Sequence, residues 1–226
     1  MRRNTKIVMG MTIGVLVSVS LFLLSKRLRL SAFKRNLVSN AKREWHLWGK
    51  PLNVGGKTIE KGASECTPIY KDRVGEYWKK GTGRNLDGCD RSVPWSAAFI
   101  SFIMKKSGAG SDFRYSSAHN EYIKKTIADR KADKKAPFLG YRLNEKPVAI
   151  GDLICYGREG QGGYDSTSSY KSHCDIVVDV NKLKGNIEVI GGNVSQGVTK
   201  RIVSIDRKGY LTDPHQDWFA IIKNYK

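Results

Sequence analysis

The chain has 226 residues, 40% of them hydrophobic and 27% charged, enough for one globular domain with an appendage and too few for two full-sized ones. That balance excludes a chain disordered throughout, a collagen-like chain and a coiled coil. Lys and Arg number 40 against 21 Asp and Glu, a net charge of +19. The excess favours anionic surroundings such as phospholipid, an anionic wall polymer or nucleic acid, without choosing among them.

Residues 7–24 (IVMGMTIGVLVSVSLFLL) carry no charge and would span roughly 27 Å as a helix, close to the thickness of a thin bilayer. Arg2, Arg3 and Lys6 precede this run, as in a secretory signal. The run is longer than a usual signal core, however, and no small-x-small cleavage site follows it. The reading is an uncleaved single-pass anchor over residues 1–30, with one α+β domain over 31–226. Lys26, Arg27, Arg29, Lys34 and Arg35 follow the span; the positive-inside rule alone would keep the domain in the cytoplasm.

Phe33, Leu37, Ala41, Trp45 and Trp48 recur at helical spacing, which predicts a leading amphipathic helix over 31–49. Residues 49–67 are Gly-rich and read as irregular. A second helix is expected over 68–80, with Thr67 as cap and Pro68 in its first position. Residues 95–107 (WSAAFISFIMKKS) are apolar nearly all round and read as the buried central helix, stopped at Gly108. A further helix follows, capped by Ser116 or Ser117. From residue 137 the texture turns β-rich, with strands expected within 147–157, 174–180, 187–191, 200–205 and 218–222. Helices first and strands afterwards give an α+β fold, the central helix packed on an antiparallel sheet.

Three polar residues stand where a backbone positions them. Ser96 opens the central helix, where free N–H groups favour a developing anion. His173 opens a strand and Asn193 ends the next. A nucleophile at a helix start, a histidine on one strand and an orienting amide on its neighbour follow triad logic. By spacing alone, Ser96 is better explained as a plain N-cap or small packing residue, His173 as a strand-end imidazole and Asn193 as a turn residue.

The segments PWSAAFISFIMKKSGAG, SSAHNEYI, GDLICYGR, SHCDIVVDV and IGGNVSQGV resemble the bacterial domain of unknown function 2272. That family is grouped with papain-like NlpC-type and CHAP-type cell-wall peptidases. The resemblance implies a papain-like fold, a Gly-Asp strand opening at Gly151-Asp152, and Ser96, His173 and Asn193 as the catalytic positions. It also implies a peptidoglycan or cell-wall peptide as substrate. Wall substrates place the domain outside the bacterial inner membrane, against the flanking charges.

Serine stands where the papain-like plan has cysteine. A serine hydroxyl must lose its proton during attack, whereas a thiol beside imidazole rests as thiolate. An Asn in the orienting place costs a serine triad about 10⁴ in rate. Asp175, two residues beyond His173 on the same strand face, is the alternative orienting group. Trp95, His119 and Tyr122 are candidate cleft residues, with packing the plainer role for His119. Cys66 and Cys89 both lie in loops before the central helix and form the expected disulfide of an extracytoplasmic domain; Cys155 reads as core. No metal-ligand or phosphate-loop spacing is present, and no cofactor is expected. The Gly/Ser-rich stretch before His173 (GREGQGGYDSTSSYKS) reads as a mobile lip for substrate.

Two functions of different class follow. One is a membrane-anchored hydrolase of peptidoglycan peptide or amide bonds. The other is a catalytically inactive papain-like module that binds cell-wall peptides or a protein partner. A third, a cytoplasmic-face protein binding anionic lipid or nucleic acid, has only charge behind it, and no specific nucleic-acid recognition is expected.

Overall fold

The computed structural model describes residues 30–226. The anchor expected over residues 7–24 lies outside them, and among the described residues no helix is long and apolar enough to cross a membrane.

Helix α1 (Ala32–Leu47) starts at Ser31, whose Oγ accepts from Lys34 N at 3.2 Å. Its apolar stripe of Phe33, Leu37 and Ala41 is buried, as predicted, and the stripe continues into a buried carboxylate, Glu44. Burying a charge is costly unless it is paired and hydrogen-bonded, and Glu44 is both. It accepts from Arg73 Nε and from Tyr77 OH, each at 2.8 Å, both on α2 (Pro68–Thr82). Lys106 at the end of α3 (Ser96–Lys106) approaches it at 3.5 Å. One carboxylate thus ties three helices together. Helix α3 is the central helix, buried at every position from Ser96 to Met104. Helix α4 (His119–Lys131) begins two residues later than a Ser116 cap would require and one later than a Ser117 cap would; Ala118 precedes it and no side chain caps it.

The sheet has eight strands: β1 (Leu52–Val54), β2 (Lys57–Glu60), β3 (Phe138–Tyr141), β4 (Leu153–Gly157), β5 (Ser172–Asn181), β6 (Asn186–Val194), β7 (Gly197–Ser204) and β8 (Asp217–Asn224). Their order is β2-β1-β7-β6-β5-β4-β8-β3. The five predicted strands are β4 to β8. The additions are β1, β2 and β3, three or four residues each. Because β1 pairs in parallel with β7, the sheet is mixed rather than wholly antiparallel. The α+β class holds, and α3 packs against β5 and β6.

Gly151-Asp152 immediately precedes β4. Asp152 is fully buried and accepts from Ala149 N at 2.7 Å and Asn224 N at 3.0 Å, with Lys223 as its ion-pair partner. Two disulfides form, Cys66–Cys89 and Cys155–Cys174. The first is the expected pair. The second corrects the reading of Cys155 as plain core, since Cys155 stands directly opposite Cys174 in the β4–β5 register.

Candidate active site

Ser96 is the first residue of α3, and its side chain caps nothing. Its Oγ lies 2.7 Å from Nε2 of His119. That histidine opens α4, and its Nδ1 is hydrogen-bonded to the hydroxyl of Tyr122, three residues on and therefore on the same helix face. Ser96, His119 and Tyr122 are all buried. The first N–H groups of a helix have no partner within it, so Ser96 sits among free donors at the positive end of the α3 dipole.

A second cluster meets the first. His173 on β5 places Nε2 3.0 Å from Asp175 Oδ1, and the other carboxylate oxygen pairs with the Arg201 guanidinium on β7. Arg201 lies over the rings of Tyr156 (5.0 Å) and Trp218 (5.6 Å). The His173 ring centroid is 5.0 Å from that of His119. Strand β6 comes very close at this point. A Cβ on Gly191 would collide with Asp175 Oδ1 and lie 2.9 Å from His173 Nε2. Only glycine admits the His173–Asp175 bond there.

Burial dominates the electrostatics. It pushes His119 well below the usual imidazole range, with His173 and Arg158 adding to the effect. It also lowers His173, although Asp175 works against it. Burial alone would raise Asp175, but Arg201 and His173 outweigh it and hold the carboxylate low. Tyr122 is driven far above its ordinary value by burial and by the charge on Asp175. The site at neutral pH therefore holds two neutral imidazoles, one carboxylate and one guanidinium.

The predicted residues do not all meet as expected. Ser96 bonds to His119, not to His173. Asn193 does not orient His173. Its backbone is left-handed (φ 55°), and its carboxamide accepts from Trp95 N at 3.2 Å while donating to Glu65 Oε2 at 3.2 Å. Glu65 also accepts from Trp95 Nε1 at 2.7 Å. Asn193 and Glu65 thereby fix the start of α3 immediately before Ser96. Asp175 takes the orienting place instead. Trp95, expected in the cleft, stacks on Trp48 at 5.5 Å and belongs to the core. Arg201 was not anticipated. Its signal is the inward strand phase it shares with buried Thr199 and Val203, an unusual place for a guanidinium.

A cleft of about 510 Å³ opens on this site, lined by Ser96, His119, Asn120, Arg158, Tyr170 and Ser172 among others. The Gly/Ser-rich lip forms one wall and is pinned to α4 and β3. Tyr164 OH donates to Gly140 O at 2.8 Å, Asp165 pairs with Arg142 and Lys131, and Lys124 reaches Thr167 O at 3.3 Å. Among the described residues no group of three or more His, Cys, Asp or Glu is arranged to hold a metal ion.

A family model described as an uncharacterized protein conserved in bacteria (DUF2272) matches residues 45–224. No curated protein and no solved structure matches the chain.

Proposed function

The chain belongs to the bacterial family DUF2272, and for this member we propose hydrolysis of peptide or amide bonds in cell-wall peptides, with Ser96 as nucleophile. The observation that carries the reading is the 2.7 Å bond from Ser96 Oγ to His119 Nε2 at the start of α3. With Nδ1 protonated and donating to Tyr122, Nε2 is the acceptor for the serine proton. Attack on the carbonyl carbon moves that proton to His119 and places the oxyanion against the free N–H groups of α3. The imidazolium then returns the proton to the leaving amine. His173, with Nε2–H donated to Asp175, has Nδ1 unprotonated and suits activation of the water that cleaves the acyl-enzyme.

Order of elements supports a papain-like plan: a central helix carrying the nucleophile, then a strand opening with histidine. Two disulfides support an oxidising compartment, hence a domain held outside the inner membrane by residues 7–24. The second reading is a binding module without turnover. It is favoured by the pairing of Asp175 with Arg201, which draws the carboxylate's charge away from His173. Incubating the full chain with purified peptidoglycan and seeking new amines or muropeptides by mass spectrometry decides between the two. Products absent from Ser96→Ala establish the hydrolase; none from the unaltered chain leaves the module.

A further inference from the structure

We infer that Arg158 selects substrates bearing a carboxylate beside the scissile bond, an inference that rests on the hydrolase reading for what the cleft holds. Arg158 leaves the end of β4 at the mouth of the Ser96 cleft and forms no ion pair among the described residues. The other charged groups lining that cleft are Glu159 and Lys171, and they pair with each other at 2.6 Å. Glu159 is therefore occupied, and the guanidinium keeps its charge for an incoming anion. Its field already reaches both imidazoles, behind the larger effect of burial.

The same cleft holds polar side chains with unmet hydrogen bonds. Asn120, Tyr170 and Ser172 are each at least nine-tenths buried, yet Asn120 Oδ1, Tyr170 OH and Ser172 Oγ have no partner. A buried polar atom left unpaired is costly, and all three residues line this cleft. Asn120 Oδ1 is fixed as an acceptor because Nδ2 donates to Ser169 Oγ at 2.9 Å and Tyr170 O at 3.1 Å. An acceptor beside two hydroxyl donors matches the N–H and C=O groups of a peptide backbone. Arg158 and Glu159 also border a second cleft of about 370 Å³, lined by Tyr156, Pro214, His215 and Asp217. An extended chain leaving the Ser96 cleft on that side would cross the arginine, whose planar fork suits a carboxylate.

The test uses the full chain carrying Ser96→Ala, in uncharged detergent, with N-acetyl-alanyl-glutamate N-methylamide and its glutamine counterpart as probes. Dissociation constants are read by ligand-observed NMR. Because Arg158 is exposed, the expected preference for the glutamyl peptide is about five- to tenfold. It should vanish with Arg158→Gln and persist with Lys171→Gln. Equal affinities, a preference that survives Arg158→Gln, equal loss with Lys171→Gln, or no binding of either peptide would each overturn the assignment. Failure of the hydrolase reading would show separately, as absence of turnover in the unaltered chain while the charge preference remains.

Discussion

The His119 and His173 ring centroids lie 5.0 Å apart with the rings tilted by 41°, yet only His119 is hydrogen-bonded to Ser96. Two imidazoles with different partners, Tyr122 for one and Asp175 for the other, divide the proton-handling capacity of the site.

Substitutions at these positions should separate their roles. Ser96→Ala is expected to abolish peptidoglycan turnover, and His119→Gln to lower kcat by about 10² or more, the usual worth of a general base. Ser96→Cys should retain or raise activity, because a thiol needs less help from its base. Steady-state release of amines from peptidoglycan measures all three. Full activity in His119→Gln with loss in His173→Gln would return the base role to His173.

Gly191→Ala is expected to be damaging out of proportion to one methyl group. The added carbon collides with Asp175 and crowds His173, and overpacking of a tight site costs about 1–3 kcal/mol. Urea denaturation should show that loss, and turnover should fall with it because the His173–Asp175 bond is broken. A variant of unaltered stability and activity would contradict the close approach of β6.

Acid should weaken the fold in a defined window. Both imidazoles have folded pKa values below the ordinary 6.5, so the unfolded chain binds more protons between the two values. Stability is then full above about 6.5 and is lost as pH falls through that window. Asp175, also held low, adds its own loss only in the carboxylate range further down. Thermal melts from about pH 8 to pH 5 should show the decline, and His119→Gln should flatten part of it. Melting that is unchanged across that range would show the imidazoles to be free to protonate.

Reduction should act on the site as well as on stability. The Cys66–Cys89 bridge joins positions 23 residues apart, a loop whose closure is worth about 3 kcal/mol. Glu65, next to the bridge, holds Trp95 and Asn193 at the start of α3. Cys66→Ser with Cys89→Ser is therefore expected to lower Tm and to reduce turnover at temperatures where the fold survives. Intact-mass measurement with and without reductant checks that the bridges exist.

The long elements were legible because periodicity has room to repeat in them. The Phe33-Leu37-Ala41 stripe and the apolar run from Ser96 to Met104 each announced a helix and its buried face. Strands β1 to β3 were hidden because three or four residues cannot display alternation, and β1 gains its place only by pairing with β7. At the site, the residue types were visible and the partnerships were not. His119 looked like packing because nothing local shows that α4 will deliver it to α3. Asn193 looked like an orienting amide, whereas its left-handed backbone turns it toward Trp95. Asp175 was correctly placed on the face of His173, but the buried guanidinium that shares it comes from 26 residues further along.

The chemistry of this chain is divided between its two halves. Ser96 and His119 come from the helical part, while His173, Asp175 and Arg201 come from the strands. The helical part holds the Ser96–His119 pair and the strands hold the His173–Asp175 pair. A ribosome-bound or nicked chain that had folded only its helices would own a nucleophile with an incomplete pocket, and β6 must dock before Gly191 and Asn193 can seat either side. Contacts so distant along the chain must close long loops and slow folding. Completion of the Ser96 site therefore reports finished assembly: on the proposed hydrolase reading, turnover should appear only after the strands have docked on the helices.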